Sequence, residues 1–176
     1  VILGIGMKHN REFEIAFVGL KPGEHEFHYH ITDAFFEKFG QPEFNHAAID
    51  VRLVMDKKQG CFLLRFYING LVRIVCDRCA DEYEMTLWDE FELLVKLVDE
   101  EELARRRDDD AEVAYIARSE SLLDVSGWIY EFIILSVPIQ HIHPNDAQGR
   151  STCNPQVLEF FRKQEETDRN NPRQNE

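Results

Sequence analysis

Residues 61–75 read CFLLRFYINGLVRIV, two apolar runs on either side of Asn69-Gly70. Asn and Gly both tolerate positive φ, and this dipeptide between apolar runs is typical of a tight β-hairpin turn. The stretch therefore predicts one strand over Cys61–Ile68 and a returning strand over Leu71–Val75.

Alternation of apolar and polar residues predicts further strands on both sides of this hairpin. They cover residues 11–19, 25–31, 51–55, 83–87, 91–98 and 112–117. A period of two residues places successive side chains on opposite faces of a sheet. Most of these strands follow one another directly, so we expect them to pair as hairpins.

Three short helices are predicted from capping and breaking residues. The first begins near Asp33 and ends at Gly40, and the second begins near Asp124 and ends before Pro138. The third begins after Asn154, which is followed by Pro at the first helical position, and runs to about residue 166.

These elements together predict an α+β domain with a mostly antiparallel, hairpin-linked sheet packed against two or three short helices. The sheet either stays open or curls toward a barrel. We expect residues 1–163 to form a single domain and residues 164–176 to be a disordered polar tail.

The composition excludes several classes of protein. Hydrophobic residues make up 44%, and no apolar run is long enough to span a membrane. The first six residues lack the basic segment and long apolar run of a signal peptide, and Met7 is a second candidate for the first natural residue. Reduced thiols or metal ligation fit the four cysteines of a chain of this size better than two disulfides, so we expect a cytoplasmic protein.

The net charge bears on the partner. The chain has 33 acidic and 20 basic residues, which gives a net charge of −13. Binding to the phosphates of nucleic acid requires a surplus of Lys and Arg. Direct nucleic-acid binding is therefore not expected, and a basic protein is the favoured partner.

The main candidate site is the turn Cys76-Asp-Arg-Cys79, which follows the second strand of the predicted hairpin. Two thiolates separated by two residues supply half of a tetrahedral metal site. His141-Ile-His143 and Cys153 follow in a later loop, and if residues 141–143 are extended both imidazoles face one way. Ligation by Cys76, Cys79, His143 and Cys153 would form a Cys₃His site suited to structural zinc.

Two other interpretations of the cysteine pair stay open. The thiols can be plain reduced cysteines at a turn, or they can form a redox pair. Redox use is disfavoured, because the pair follows a strand instead of opening a helix and its acidic neighbours raise the pKa of the thiols.

Other chemistry-bearing residues have a structural explanation. Cys61 is expected in the core, and His28 and His30 share a strand face with Glu26 that is expected to be solvated rather than metal-binding. The charged segment 99–111 is interpreted as a solvated loop or frayed helix, with docking of a charged partner as the alternative. No phosphate loop, nucleophile elbow or metalloprotease motif occurs, so we expect no enzyme.

The order of these features resembles the YceD family of large-subunit ribosomal RNA accumulation proteins. The resemblance covers about residues 45–155 and rests on the apolar strand pair linked by Asn-Gly, the sequence Ile74-Val-Cys-Asp-Arg-Cys79, the acidic interval that follows, the stretch Leu123-Asp-Val-Ser126 and the helix that ends at Pro138. Cys76 and Cys79 match the cysteine pair of the family. Of its second cysteine cluster only Cys153 and His143 remain here as candidates.

The resemblance implies a non-enzymatic accessory role in the accumulation or maturation of large-subunit ribosomal RNA. With a charge of −13, we expect the chain to act through a basic ribosomal protein or assembly factor rather than on bare RNA. The alternative is a small zinc metalloprotein with a Cys-x-x-Cys site of catalytic or redox use.

Overall fold

A computed structural model describes residues 11–105 and 112–170, apart from the side chains of two residues near the end of the last helix. The predictions for residues 1–10, 106–111 and 171–176 lie outside the described residues. The helices are α1 (Asp33–Phe36), α2 (Glu100–Arg105), α3 (Ser126–Leu135) and α4 (Pro155–Asn170). The strands are β1 (Glu14–Ile15), β2 (Gly23–Thr32), β3 (Phe44–Lys58), β4 (Cys61–Val75), β5 (Glu82–Val98), β6 (Val113–Ala117) and β7 (Leu123–Asp124).

Five of the strands form one open sheet in the order β2-β3-β4-β5-β6. Its pairs are antiparallel except that β6 runs parallel to β5. β1 and β7 form a separate two-stranded sheet. The prediction of an α+β fold with a mostly antiparallel sheet is confirmed. The sequence left open whether the sheet stays open or curls toward a barrel, and the described strands form an open sheet and no closed barrel.

The predicted turn at Asn69-Gly70 is wrong. β4 runs without interruption through both residues, and the hairpin between β3 and β4 turns instead at Gln59-Gly60, where Gly60 has a φ of 82°. The alternation of β4 explains this, because its buried residues Phe62, Leu64, Phe66, Ile68, Val72 and Ile74 all have even numbers. The apolar face therefore stays in phase across Asn69-Gly70, which a turn would have broken.

Gly70 has a different role from the predicted one. A Cβ there would lie 2.4 Å from the backbone oxygen of Ala48 and 2.5 Å from the Cα of Ile49. The pairing of β3 with β4 shifts register between Asn45 and Ala48, and His46 takes a φ of 51° in this irregularity. Glycine in a strand interior often marks such a bulge or close backbone approach.

Other elements differ in length from the predictions. Residues 11–19 form two short 3₁₀ turns around β1 instead of one strand. The strands predicted at 83–87 and 91–98 are one strand, β5. The predicted strand over 112–117 is confirmed as β6, and the part of segment 99–111 that is described contains α2.

The last helix is longer than expected. It ends at Asn170, whereas the sequence predicted a helix to about residue 166 and a disordered polar tail over residues 164–176. Arg162 forms ion pairs with Glu159 and Glu166, and Lys163 forms one with Glu159. Pairs at these spacings stabilise an exposed helix that buries little apolar surface.

One face of the five-stranded sheet carries the main core, and the other is open to solvent. α3 covers the core face, where the Phe132 ring lies 5.0 Å from the Phe66 ring and 4.5 Å from the Phe91 ring. A second, smaller cluster consists of Cys76, Cys79 and Cys153, with Tyr83, Ile142, Val157 and Leu158 packed against them. It lies at the turn between β4 and β5, and α4 is attached to the domain through this cluster.

Candidate metal centre

The turn between β4 and β5 presents two buried thiols. Its backbone closes through hydrogen bonds from the Cys76 N–H to the Asp81 oxygen (2.9 Å) and from the Ala80 N–H to the Cys76 oxygen (2.9 Å). Ala80 has a φ of 59°, the left-handed conformation that such a tight turn requires. Cys76 and Cys79 are only 1% and 4% exposed. Both thiols therefore face the interior of this end of the molecule.

Asp77 positions the loop that supplies the histidine. Its N–H donates to the His141 oxygen (2.7 Å), and its Oδ2 accepts from the His141 N–H (2.6 Å). Two residues later the loop places the His143 imidazole against the cysteines. This role was not predictable from the sequence, because an aspartate between two cysteines has many possible partners.

The two histidines of the predicted group have different environments. The His143 imidazole lies beside the thiols and 4.5 Å from the Tyr83 ring. The His141 side chain is buried away from the thiols, with its Nδ1 3.8 Å from the Asp77 Oδ1. Only His143 belongs to the cluster. The two imidazoles of residues 141–143 therefore do not both face the thiols.

Cys153 lies two residues before the start of α4. Asn154 accepts a hydrogen bond from the Gln156 N–H through its Oδ1 (3.0 Å) and donates through its Nδ2 to the Asp81 Oδ2 (3.0 Å). The first contact caps α4, and the second ties the helix to the cysteine turn. Cys153 is thereby held 2% exposed against the other two buried cysteines.

The structure brings together all four residues that the sequence singled out. One potential ligand atom from each of Cys76, Cys79, His143 and Cys153 lies within 4.8 Å of every other. The Cys76 and Cys153 sulfurs are 3.8 Å apart, and the His143 Nδ1 lies 3.5 Å from the Cys79 sulfur and 3.7 Å from the Cys153 sulfur.

These separations fit one tetrahedral zinc ion. With ordinary zinc–ligand distances, two bound sulfurs lie about 3.8 Å apart and a sulfur and an imidazole nitrogen about 3.6 Å apart. The donor set of three thiolates and one imidazole is also one that zinc prefers. The residues present therefore fit a closed Cys₃His site.

The environment prepares Cys76 to be a thiolate. Burial alone would raise the pKa of its thiol, but backbone hydrogen bonds from His143, Cys79 and Arg78 outweigh burial and lower the pKa to about 6. For Cys79 burial prevails and the pKa is raised. Burial, together with the negative charge of Cys76, also raises the pKa of Tyr83. A cation among these groups would stabilise the remaining thiolates.

The other candidate residues form no comparable group. Cys61 is half-buried at the start of β4, so its predicted place in the core is wrong. His28 and His30 are exposed and hydrogen-bonded to Glu26 (2.7 Å) and Asp50 (2.8 Å), which is the expected solvated face. Within residues 11–105 and 112–170, the Cys76, Cys79, His143 and Cys153 group is the only one arranged to hold a metal ion.

The fold is thus an open, mostly antiparallel sheet packed against α3, with a candidate Cys₃His metal site at the turn between β4 and β5. Residues 64–175 match the family described as "Large ribosomal RNA subunit accumulation protein YceD". The match covers more than half of the chain, so the chain belongs to the YceD family. No curated protein and no solved structure matches the chain. None of the described helices is both long enough and apolar enough to cross a bilayer.

Proposed function

We propose that this YceD-family chain is a non-enzymatic accessory protein for the accumulation or maturation of large-subunit ribosomal RNA. The observation that carries the proposal is the family match over residues 64–175, which contains all four residues of the Cys₃His cluster. The family description supplies the link to ribosomal RNA, and the cluster supplies a structural rather than a catalytic centre.

Zinc is the proposed occupant of the cluster, held by Cys76, Cys79, His143 and Cys153. Bound there, the ion would join the turn between β4 and β5, the loop that carries His143 and the start of α4. Such a site stabilises a fold directly, because ligands distant in sequence meet only in the native state.

A catalytic or redox use of the same site is the weaker candidate. A catalytic zinc keeps one coordination position open for water or substrate. Here four side chains supply donor atoms, and the three cysteines are between 1% and 4% exposed. A substrate has no free position to take, so we assign the site to stability.

The partner is proposed to be a basic ribosomal protein or assembly factor. A net charge of −13 opposes binding to the phosphates of RNA and favours a basic protein surface. The chain then influences ribosomal RNA by holding a protein that binds it.

The cellular test removes the chain from its natural host and measures the ratio of large-subunit to small-subunit ribosomal RNA. We expect the ratio to fall, and to be restored by the wild-type chain and by the control variant Cys61→Ser. Cys76→Ser is expected to restore it poorly. An unchanged ratio in the deletion strain contradicts the proposed function.

The partner is tested separately with purified components. We expect the chain to bind isolated basic ribosomal proteins and to ignore fragments of large-subunit ribosomal RNA at the same salt concentration. Tight RNA binding with a steep salt dependence, and no affinity for the basic proteins, would reverse the proposed mechanism.

A further inference from the structure

Most of β5 forms an open edge of the sheet. Its partner β6 pairs only with Leu94–Val98. Among the described residues no strand pairs with Glu82–Leu93 on the side away from β4. An unpaired edge of this length presents a row of backbone hydrogen-bonding groups to another chain.

The hydrogen bonds around β5 show which residues face this edge. The Leu97 N–H donates to Gly60 on the β4 side, whereas the Leu94 N–H donates to Glu112 on the β6 side. The register with β4 has no shift from Glu82 to Lys96. Along a strand of an antiparallel pair, the backbone N–H and C=O groups of successive residues point alternately toward the paired strand and away from it. The even-numbered residues from Glu84 to Glu92 therefore direct these groups away from β4.

Glu90 supports this assignment independently. Its N–H donates to the side chain of the preceding residue, with 2.9 Å to the Asp89 Oδ1. The carboxylate that accepts this hydrogen bond occupies the position of a backbone carbonyl on a neighbouring strand. An added strand that bonds to Glu90 therefore has to displace the Asp89 carboxylate.

The same even-numbered residues make the open edge acidic. Glu82, Glu84, Glu90 and Glu92 are exposed on the solvent face of β5, and none of them has an ion pair within the described parts of the chain. The nearest arginine in register with Glu92 is Arg65, which pairs with Glu24 instead. Trp88 lies among these glutamates and is 72% exposed.

A cleft beside the edge combines apolar and acidic residues. This cavity of about 440 Å³ is lined by Phe91, Leu93, Phe132 and Leu135 and by four glutamates, which include Glu90 and Glu92. Leu135 is 60% exposed at the end of α3. A strand added to β5 would point alternate side chains at this cleft and at the acidic solvent face.

We infer that the open edge of β5 binds an extended segment of a basic protein as an added strand, in which Lys or Arg residues alternate with apolar residues. The basic residues face Glu84, Glu90 and Glu92, and the apolar residues enter the cleft beside Phe91 and Leu135. Backbone hydrogen bonds to the even-numbered residues supply affinity, and the alternation supplies specificity. The inference rests on the proposed function for the basic character of the partner.

Charge selects this occupant over a second copy of the chain. Two β5 edges would place glutamates against glutamates, and like charges opposite each other destabilise strand pairing. A segment with one positive charge at every second residue meets the opposite charge instead.

The binding test uses a defined peptide and the intact protein. The probe alternates Lys or Arg with Val over eight residues, and the control peptide has the same side chains with alternate backbone nitrogens methylated. We expect the probe to shift the NMR amide signals of Thr86, Trp88 and Glu92 and to slow their hydrogen exchange. The methylated peptide keeps the charge but loses the donors of one edge, so we expect it to bind about tenfold or more weakly.

Two pairs of variants separate the edge from charge in general. Thr86→Pro removes an outward N–H and spares the bonds to β4, and we expect a loss of about tenfold in affinity, with Thr86→Val within about twofold of wild type. Glu90→Gln with Glu92→Gln is expected to weaken binding and flatten its salt dependence. Glu37→Gln with Glu120→Gln makes the same change of charge elsewhere and is expected to leave binding unchanged.

Each result has one meaning. Equal binding of both peptides, equal binding by Thr86→Pro and Thr86→Val, or self-association of the protein through this edge overturns the inference. If Thr86→Pro restores the ribosomal RNA ratio in the deletion strain, the edge is not the functional surface while the proposed function stands. If deletion leaves that ratio unchanged, the proposed function fails whatever the peptide does.

Discussion

Cys76 contacts all three segments that form the candidate metal centre: the turn after β4, the loop that carries His143, and the residues before α4. Its backbone closes the turn with Asp81 and Ala80, its sulfur lies 3.8 Å from that of Cys153, and its thiol receives backbone hydrogen bonds from His143. These contacts come from both sides of the cluster. Replacing the sulfur therefore removes a ligand without disturbing the main core.

The first prediction concerns metal content. Wild-type protein purified under reducing conditions is expected to contain about one zinc per chain, and Cys76→Ser to contain almost none. Elemental analysis measures both. Cys61→Ser is the matched control, because Cys61 lies outside the cluster, and it should retain the metal. A metal-free wild-type protein would leave the four residues as reduced thiols and an imidazole in contact.

The second prediction concerns Gly70. Gly70→Ala places a Cβ 2.4 Å from the Ala48 oxygen, so the backbones of β3 and β4 have to separate. We expect the free energy of unfolding to fall by about 1 to 3 kcal/mol. Chemical denaturation measures it.

Gly127→Ala is the control for this measurement. Gly127 lies in α3, and a Cβ there meets nothing within 4 Å. Alanine favours a helix over glycine, so stability should stay the same or rise by up to about 1 kcal/mol. Equal effects of the two substitutions would contradict the close approach at Gly70.

At the scale of elements, β2 is held against the first 3₁₀ turn by an aromatic pair. The Tyr29 ring stacks on the Phe13 ring at 5.1 Å, and Tyr29 is 6% exposed. Burial, followed by the charges of Glu12 and Asp124, raises the pKa of Tyr29 to about 12. The neutral phenol is therefore the form that the folded state accommodates.

The third prediction follows from this pKa. The unfolded chain releases the Tyr29 proton near pH 10, and the folded chain retains it to about 12. The stability that depends on the neutral phenol is thus fully present below pH 10 and is lost as the pH rises from 10 to about 12, an effect of up to about 3 kcal/mol.

Unfolding curves across this pH range measure the effect. Tyr29→Phe has no proton to lose and should show a smaller fall in stability than wild type over the same range. Parallel curves for the two proteins would show that Tyr29 does not titrate with unfolding.

At the scale of the whole molecule, two apolar clusters lie along the long β4–β5 hairpin, and Tyr83 packs against both. The main core surrounds α3, whereas the cysteines pack with Tyr83, Ile142, Val157 and Leu158. α4 belongs to the second cluster and carries mostly exposed residues. Without a ligand to hold the cysteines together, this end has few apolar contacts.

The fourth prediction is local unfolding on metal removal. Treatment of the zinc-loaded protein with a chelator is expected to increase hydrogen exchange in α4 and in residues 139–154, and to leave α3 and the centre of the sheet protected. Mass spectrometry after deuterium exchange resolves these segments. Uniform exchange over the whole domain would show instead that the site supports the entire fold.

The fold was predictable where local patterns act alone. The alternation in 25–31, the capping Asn154 and the helix stop near Pro138 each predicted an element that the structure contains. The prediction of a turn at Asn69-Gly70 was wrong. The preference of these two residues for positive φ stabilises a turn less than the burial of a continuous apolar face stabilises an uninterrupted strand. The in-phase burial of Ile68 and Val72 was the signal in the sequence that a turn was absent.

By itself the sequence determined the α+β class, the acidic surface and the four residues of the candidate centre, because these follow from residue types and short spacings. Only the tertiary structure decided that these four meet, since their contact depends on Asp77 and Asn154 holding segments that are distant in the chain. The open edge of β5 was likewise invisible in the sequence. Whether a strand is paired on both sides depends on where other segments end, and no residue of the strand encodes that.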